Sequence, residues 1–393
     1  MKYGFLGLSI LSCCALNAQE DPELALNCRA TQRKAKSEQA RQCFHPGEDS
    51  LPCTMQSTYN YPATGKICDQ FGAFVTASYL YWFAEQEGMD LATSATFDTL
   101  TGLVLPTDGG SKAIFQDAKY SSGFKVGLGW NLNQCDHWVV RADYTRLHEH
   151  TKQNEEAPEV EVPFGIALIT SEPTIYATSW FFQNSALGQP IAAQSFSSSW
   201  HMNLDLIDLL ASRPYYQGRS LVVSPYGGLK AAFIRQNLRI AADSFQNVIP
   251  PVQPVVSHNK SHSWGIGPSG GVCTHWILGG GFRFEGNMGA SLLFTQYTHV
   301  QHSEDAITLT YPVSYSFKNY NCLRPMAEMD LGLGWMHTFN NSFALDINVT
   351  YDFNYLWGQN MMRTLNDLNI IGVNAASNDL YLHGLTVSAG FGF

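Results

Sequence analysis

In the stretch FALDINVTYDFNYLW, residues 343–357, every odd position is apolar or aromatic (Phe343, Leu345, Ile347, Val349, Tyr351, Phe353, Tyr355, Trp357), and the even ones are mostly Asp, Asn or Thr. Side chains of a strand point alternately to opposite faces, so a period of two builds a ribbon with one greasy side. Ten segments carry this period, at about 72–84, 122–132, 138–148, 199–209, 220–237, 262–275, 282–298, 323–337, 343–358 and 379–393. The chain must therefore give one face of ten strands an apolar medium, either a second β-layer or hydrocarbon.

The connections favour hydrocarbon. Those after the second, fourth, sixth and eighth segments are short, with turn residues such as Asn133-Gln134, Gly279-Gly280-Gly281 and Asn340-Asn341, while the others run from about 19 to 50 residues. Tight turns at one end and long loops at the other describe a transmembrane barrel, and such loops are uncommon in compact soluble domains. Beyond the N-terminal apolar run no window holds 18 consecutive apolar residues, which excludes a membrane-spanning helix. The expected fold is all-β, a transmembrane antiparallel β-barrel of at least ten strands. Further strands at Phe164–Thr170, Thr174–Gln183 and Ile307–Phe317 leave about 12 to 16 open.

The second face points the same way. A β-sandwich would show Lys and Glu to water, whereas charged residues are only 14% of this chain and the face opposite the greasy one carries Gly, Asn, Ser, Thr and scattered charges. Tyr79, Tyr81, Trp82, Trp130, Trp138, Tyr144, Trp200, Trp264, Trp276, Trp335, Tyr355 and Trp357 fall mostly near segment ends, where the interfacial girdles of a barrel would place them. The chain closes on YLHGLTVSAGFGF, with Tyr381, His383, Leu385, Val387, Ala389, Phe391 and Phe393 on one face. This ending resembles the terminal strand read by outer-membrane barrel-assembly machinery, with Tyr381, Leu385, Val387, Phe391 and Phe393 as the signal.

Met1-Lys2, an apolar run to about Leu16 and the small Ala18 read as a secretory signal peptide over residues 1–18. Residues 19–70 form a polar Cys-containing N-terminal segment, periplasmic or plug-like, ahead of the barrel at 71–393. Seven cysteines follow the signal (Cys28, Cys43, Cys53, Cys68, Cys135, Cys273, Cys322), and their spacings lack the Cys-x-x-Cys pairs of zinc sites, so disulfides are expected, with at least one thiol free or paired to another chain. The net charge of −10 argues against a nucleic-acid partner.

Four stretches, FVTASYLYWFAEQEGMDLA (74–92), WHMNLDLIDLLASRPYYQGRSLVVSPYGGLKAAFIRQ (200–236), WGIGPSGGV (264–272) and LRPMAEMDLGLGW (323–335), resemble the pore-forming outer-membrane protein family of chlamydia-like and Legionella major-outer-membrane-protein homologues. The likeness covers most of 71–393. It implies an outer-membrane porin of a chlamydia-like bacterium, embedded in outer-membrane lipid, passing small hydrophilic solutes or ions, with a homotrimer as the porin expectation. It further implies that Cys28, Cys43, Cys53 and Cys68 are candidates for disulfide cross-links to other cysteine-bearing envelope proteins. A non-conducting structural or adhesive barrel is the alternative.

With the greasy face turned to lipid, the pore-lining candidates are Lys125, Arg141, Lys230 and Arg283 against Asp143, Asp205, Glu285, Glu328, Asp330, Asp346 and Asp352, an excess of negative charge that favours cations. These charges could equally pair across a filled interior. Serines and histidines are plentiful but no spacing links a Ser-His pair, and no nucleotide loop is present, so neither an enzyme nor a cofactor is expected. His148 and His150 share one strand face, but a solvated loop start explains them and no metal is assigned. The segment 149–198, with Ile166-Ala167-Leu168-Ile169 and Trp180-Phe181-Phe182, is a candidate to constrict the lumen, pack on the rim or meet a host surface.

Overall fold

The computed structural model describes residues 72–393 except 98–103, 107–110, 133–137, 157–173, 179, 182–190, 219, 245–254, 306–312, 340–342 and 371–377. The signal peptide, the 19–70 segment with its four cysteines, Cys135 and the strand expected at Phe164–Thr170 lie outside the described residues.

Among the described residues sixteen strands follow in chain order: β1 (Ala73–Gln86), β2 (Asp90–Phe97), β3 (Val104–Pro106), β4 (Ala113–Phe115), β5 (Tyr120–Asn131), β6 (Val139–Glu156), β7 (Thr174–Thr178) and β8 (Ile191–Ser212) in the first half. The second half holds β9 (Tyr216–Gln217), β10 (Leu221–Ser244), β11 (Val255–Gly279), β12 (Phe282–Asp305), β13 (Val313–Phe317), β14 (Tyr320–Phe339), β15 (Phe343–Leu356), the helix α1 (Met361–Ile370) and β16 (Leu380–Gly392). Ten of these, β1, β5, β6, β8, β10, β11, β12, β14, β15 and β16, pair antiparallel in that order, and β16 returns to β1, closing a barrel. They coincide with the ten segments of period two. The short strands lie outside this ring: β7 joins β2 to β8, β3 and β4 pair with β2, β9 with β10, and β13 with β12. β7 and β13 fall inside the stretches expected to hide strands at Thr174–Gln183 and Ile307–Phe317.

Closure leaves no barrel strand with an open edge, the condition for β-structure in hydrocarbon. The chain end seals it: the Phe393 N–H donates to the Ala73 carbonyl at 3.0 Å. Tyr381, Leu385, Val387 and Phe391 stand on the outer face of β16, and Phe393, just past its end, is exposed like Leu385, Val387 and Phe391.

The wall is uneven in height. β1, β5, β15 and β16 hold 12–14 residues, whereas β6, β8, β10, β11 and β12 hold 18–25. A membrane-spanning strand needs about 9–11 residues, so the tall side rises well past the bilayer. Along it the chemistry of the two faces inverts. On β10 the outward residues run Leu229, Ala231 and Phe233, then Arg235, Asn237 and Arg239, while the inward ones run Tyr226 and Lys230, then Ala232, Ile234, Leu238 and Ile240. On β8 outward Leu209 and Ile207 give way to Asp205, Asn203 and His201, while inward Asp208 gives way to Leu206, Leu204, Met202 and Trp200. The lower storey is greasy outside and polar inside; in the upper storey the outside turns polar, and the inside of β8 and β10 turns apolar around the buried Gln236, while β6 and β11 also turn Thr151, Ser257, Asn259 and Ser261 inward.

The upper core is dense. Leu80, Leu147, Met202, Leu204, Ile240 and Leu356 are fully buried, and residues from the loops join them, including Trp180, Phe181 and Met362. Burying each such side chain contributes about 1.5–3 kcal/mol. The helix α1 begins at Asn360, whose side-chain oxygen accepts from the Arg363 N–H at 3.1 Å in the usual N-cap manner. Its Met361 and Leu365 pack on Tyr297 and Val300 at the mouth. Trp180, from the long segment 149–198, is likewise tied down, donating to the Asp90 carbonyl at 2.6 Å with the Arg363 guanidinium over its ring.

The inversion predicts opposite responses on one outer surface. Val349→Arg, facing lipid at mid-strand, should lower the unfolding free energy in vesicles by about 2–4 kcal/mol, whereas Asn237→Arg, above the line, should change it by less than about 0.5 kcal/mol. Reversible denaturant titration of the folded barrel measures both.

Candidate functional site

The lower lumen collects the charges that alternation turns inward. Lys230 on β10 lies 2.5 Å from Asp208 on β8 and 3.0 Å from Glu328 on β14, bridging the barrel from one wall to another. Arg283 on β12 reaches Glu285 at 3.1 Å and, toward β15, Asp346 at 2.9 Å and the Asn348 side-chain oxygen at 2.7 Å. Arg141 pairs with Asp143 at 2.6 Å. Asp330 accepts from Asn287 at 2.9 Å, and Asp352, its register partner, accepts from Thr350 and Thr386 at 2.7 and 2.6 Å. Lys125 on β5 faces this carboxylate pair within electrostatic reach. Glycines in the wall make room for crossing side chains: a Cβ at Gly129 would meet the Phe74 ring, and one at Gly271 or Gly289 would meet Tyr226.

Burial decides how open this layer is. Lys230 is 1% exposed, Asp143 4% and Asp208 6%, while the side chains of Arg141, Glu328 and Asp346 retain 38%, 23% and 33%. The lower ring is thus partly accessible, and accessibility ends at Lys230. Directly above lie Leu80, Trp82, Leu204, Leu206, Leu293, Met326, Leu356 and Leu382, each no more than 3% exposed. A ten-stranded ring is narrow enough for side chains from opposite walls to meet, and here they do.

Ten of the eleven pore-lining candidates face inward. Asp205 does not: it stands on the outer face of β8, where it accepts from the Tyr144 hydroxyl at 2.6 Å beside Arg146 at 3.8 Å. Its greasy neighbours Leu204 and Leu206 face the dry upper core rather than lipid, which reverses the assignment. Asp208 takes its place inside, so the balance of four cations to seven carboxylates is kept. Trp82 and Trp200, expected in the girdles, are also interior; Trp82 donates to Thr386 at 3.0 Å. Lumen residues that the sequence reading passed over include Asp208, Tyr226, Cys273, His275 and Asn287. Strict parity carried through β8, β10, β11 and β12 would have found them. Cys273 and Cys322 are free thiols, both partly buried. His148 and His150 do share the outer face of β6, with Glu149 turned inward, and no group of three or more His, Cys, Asp or Glu suited to a metal occurs among the described residues.

A second feature lies within the apolar storey, on β6 in register with Met202. Glu149 is buried at 2% exposure, and its oxygens lack hydrogen bonds of standard geometry. Burial pushes its pKa up, an effect that Ser121, the His150 N–H and Lys119 only partly offset.

The profile of the family described as Legionella pneumophila major outer membrane protein precursor matches residues 68–393, all ten barrel strands included. The chain belongs to that family. It is thus an outer-membrane barrel protein, and its shape agrees. Among solved structures it is similar to the outer membrane protease OmpT from Escherichia coli, at 8% identity and a TM-score of 0.40 over 82% of this chain and 96% of that one. It is also similar to a major outer membrane protein from Thermus thermophilus, at 11% identity and a TM-score of 0.29 over 82% and 99% of the two chains. The toluene transporter TodX of P. putida follows, at 11% identity and a TM-score of 0.30 over 85% and 92%. None of these likenesses is close enough to transfer chemistry. No curated protein matches the chain.

Within the family barrel, two substitutions probe the site. Lys230→Met strands Asp208 and Glu328 without their cation and should destabilise by about 3–5 kcal/mol, with most of the loss recovered when Asp208→Asn and Glu328→Gln are added; thermal unfolding in detergent reads this. Glu149 holds its proton more tightly folded than unfolded, so its stabilising share is complete below the unfolded pKa of about 4.3 and is lost as pH rises through the higher folded value. Glu149→Gln should therefore melt above wild type at pH 7.5, with the gap closing near pH 4.

Proposed function

We propose that this member of the family is a pore-forming outer-membrane protein that rests closed: a polar vestibule opens toward the end where the tight turns lie, and the apolar storey shuts it from above. The observation that carries this reading is the juxtaposition of partly hydrated Glu328, Asp346 and Arg141 with the dry ring of Leu204, Leu206, Leu293, Met326 and Leu356. Hydrated charges at membrane depth support a water-filled approach, and the surplus of carboxylates favours cations. Diffusion of small hydrophilic solutes requires the storey, with α1 and Trp180 over it, to give way. The reading assigns no catalytic step.

The cap itself favours the second reading, a structural barrel that never conducts. In that case cross-linking through Cys28, Cys43, Cys53 and Cys68 would be the main contribution to the envelope, and non-reducing gels of envelopes should show species larger than the monomer.

Planar-bilayer recording of the refolded chain discriminates the two. Wild type should give rare, brief, cation-preferring openings, and Leu293→Gly with Met326→Ala should open it steadily. Large sustained steps from wild type would refute the resting closure. Silence from both proteins, with barrel circular dichroism intact, would remove the pore and leave the structural role.

A further inference from the structure

Above the inversion line the outer surface of the tall wall carries a cationic band. Cross-strand register aligns three rows over five neighbouring strands, β6, β8, β10, β11 and β12. The first is His148, Asn203, Arg235, His262 and His299, the second His150, His201, Asn237, Lys260 and Gln301, and the third Lys152, Ser199, Arg239, His258 and Ser303. Every one of these side chains is exposed or half-buried. With strands about 4.8 Å apart and alternate residues about 6.8 Å apart, the band covers about 19 by 14 Å.

Its charge stands out against the rest of the molecule. The whole chain is at −10, yet the three rows hold Lys152, Arg235, Arg239 and Lys260 and no carboxylate. Among the described residues none of these four cations has an ion-pair partner. Asp205, just below, is already engaged by Tyr144 and Arg146, and Asp305, at the strand tip above, is bonded to His258 at 3.0 Å. The histidines register the same field. After burial, the largest influences holding the His262 pKa down are Arg235, His299 and Lys260, and for His201 they are His150 and Lys152.

Position defines the partner. A mixed boundary row of Arg146, Asp205, Phe233, Trp264 and Gln296 lies beneath the band, and below it the same five strands present Tyr144, Ile207, Ala231, Ile266 and Phe294. Acyl chains lying on that belt would carry their headgroup into the cationic rows. The outermost tips then turn acidic, at Glu156, Asp243 and Asp305. We propose that the band is a binding surface for a phosphorylated saccharolipid of the outer leaflet, its acyl chains on the belt and its sugar phosphates on Arg235, Arg239, Lys260 and Lys152. The band extends over three rows, deeper than one phosphodiester at the glycerol level would fill, and arginine suits phosphate through paired N–H donors.

The test uses the full chain in neutral detergent, with native mass spectrometry and melting temperature as readouts. Three probes are added: diphosphoryl lipid A, the same lipid after enzymatic removal of its phosphates, and phosphatidylglycerol. Wild type should retain the diphosphoryl lipid at least tenfold better than either of the others and melt higher in its presence. Arg235→Gln with Arg239→Gln and Lys260→Gln, all on the outer surface, should abolish that preference while keeping barrel circular dichroism, and Lys318→Gln should not. Because triple replacement can impair folding, wild type is also titrated with salt, which should weaken retention of the diphosphoryl lipid. Equal retention of the dephosphorylated lipid or of phosphatidylglycerol, an unaffected triple variant, or salt-insensitive retention would each overturn the proposal.

Discussion

An apolar side chain is stable where water is absent, and this wall has two such places, hydrocarbon outside its lower storey and its own interior above. The backbone is the same closed antiparallel ring throughout. What changes is the assignment of faces, which switches on β8 between Ile207 and Asp205 and on β10 between Phe233 and Arg235. Below the switch polar groups can enter the lumen, because lipid covers the greasy side. Above it water takes the outside, and the greasy side has to turn in.

That exchange explains why the interior is layered. Opposite charges in the lower lumen are held by one another, as Lys230 is by Asp208 and Glu328 and Arg283 by Glu285 and Asp346. Ion pairs of this kind stabilise little beyond the desolvation they offset, but removing one partner is costly, so they fix which strands face each other across the ring. The apolar storey then acts as an ordinary protein core, and the mouth is finished by α1 and Trp180. The proposed resting closure rests on this narrow ring and its buried apolar layer of Leu204, Leu206, Leu293, Met326 and Leu356.

The ten barrel strands were legible because period-two alternation with a lipid-facing side is strong in every one, most clearly at Phe343–Trp357 and Phe124–Leu132. Their upper ends were not. In SHNKSHS, residues 257–263, Ser257, Asn259 and Ser261 face inward and His258, Lys260 and His262 outward, so both faces are polar and the period fades, although β11 begins at Val255. Parity continues through such stretches even where hydropathy does not. Assigning the face by greasiness put Asp205 inside and Trp82 and Trp200 in the girdles; assigning it by parity from the membrane-embedded part of each strand places all three correctly. The helix α1 was hidden for another reason. Its ten residues carry an Asn cap and Met361, Met362 and Leu365 for the core, but they sit within a loop whose length alone suggested none.

Nitroxide labels scanned along the outward positions of β10, from Val223 to Ala241 in reconstituted vesicles, measure the inversion most directly. Collision with dissolved oxygen should dominate through Phe233, and collision with a water-soluble nickel chelate should take over from Arg235 upward. An oxygen-dominated profile that continued through Arg239, or a chelate-dominated one at Leu229, would contradict the account.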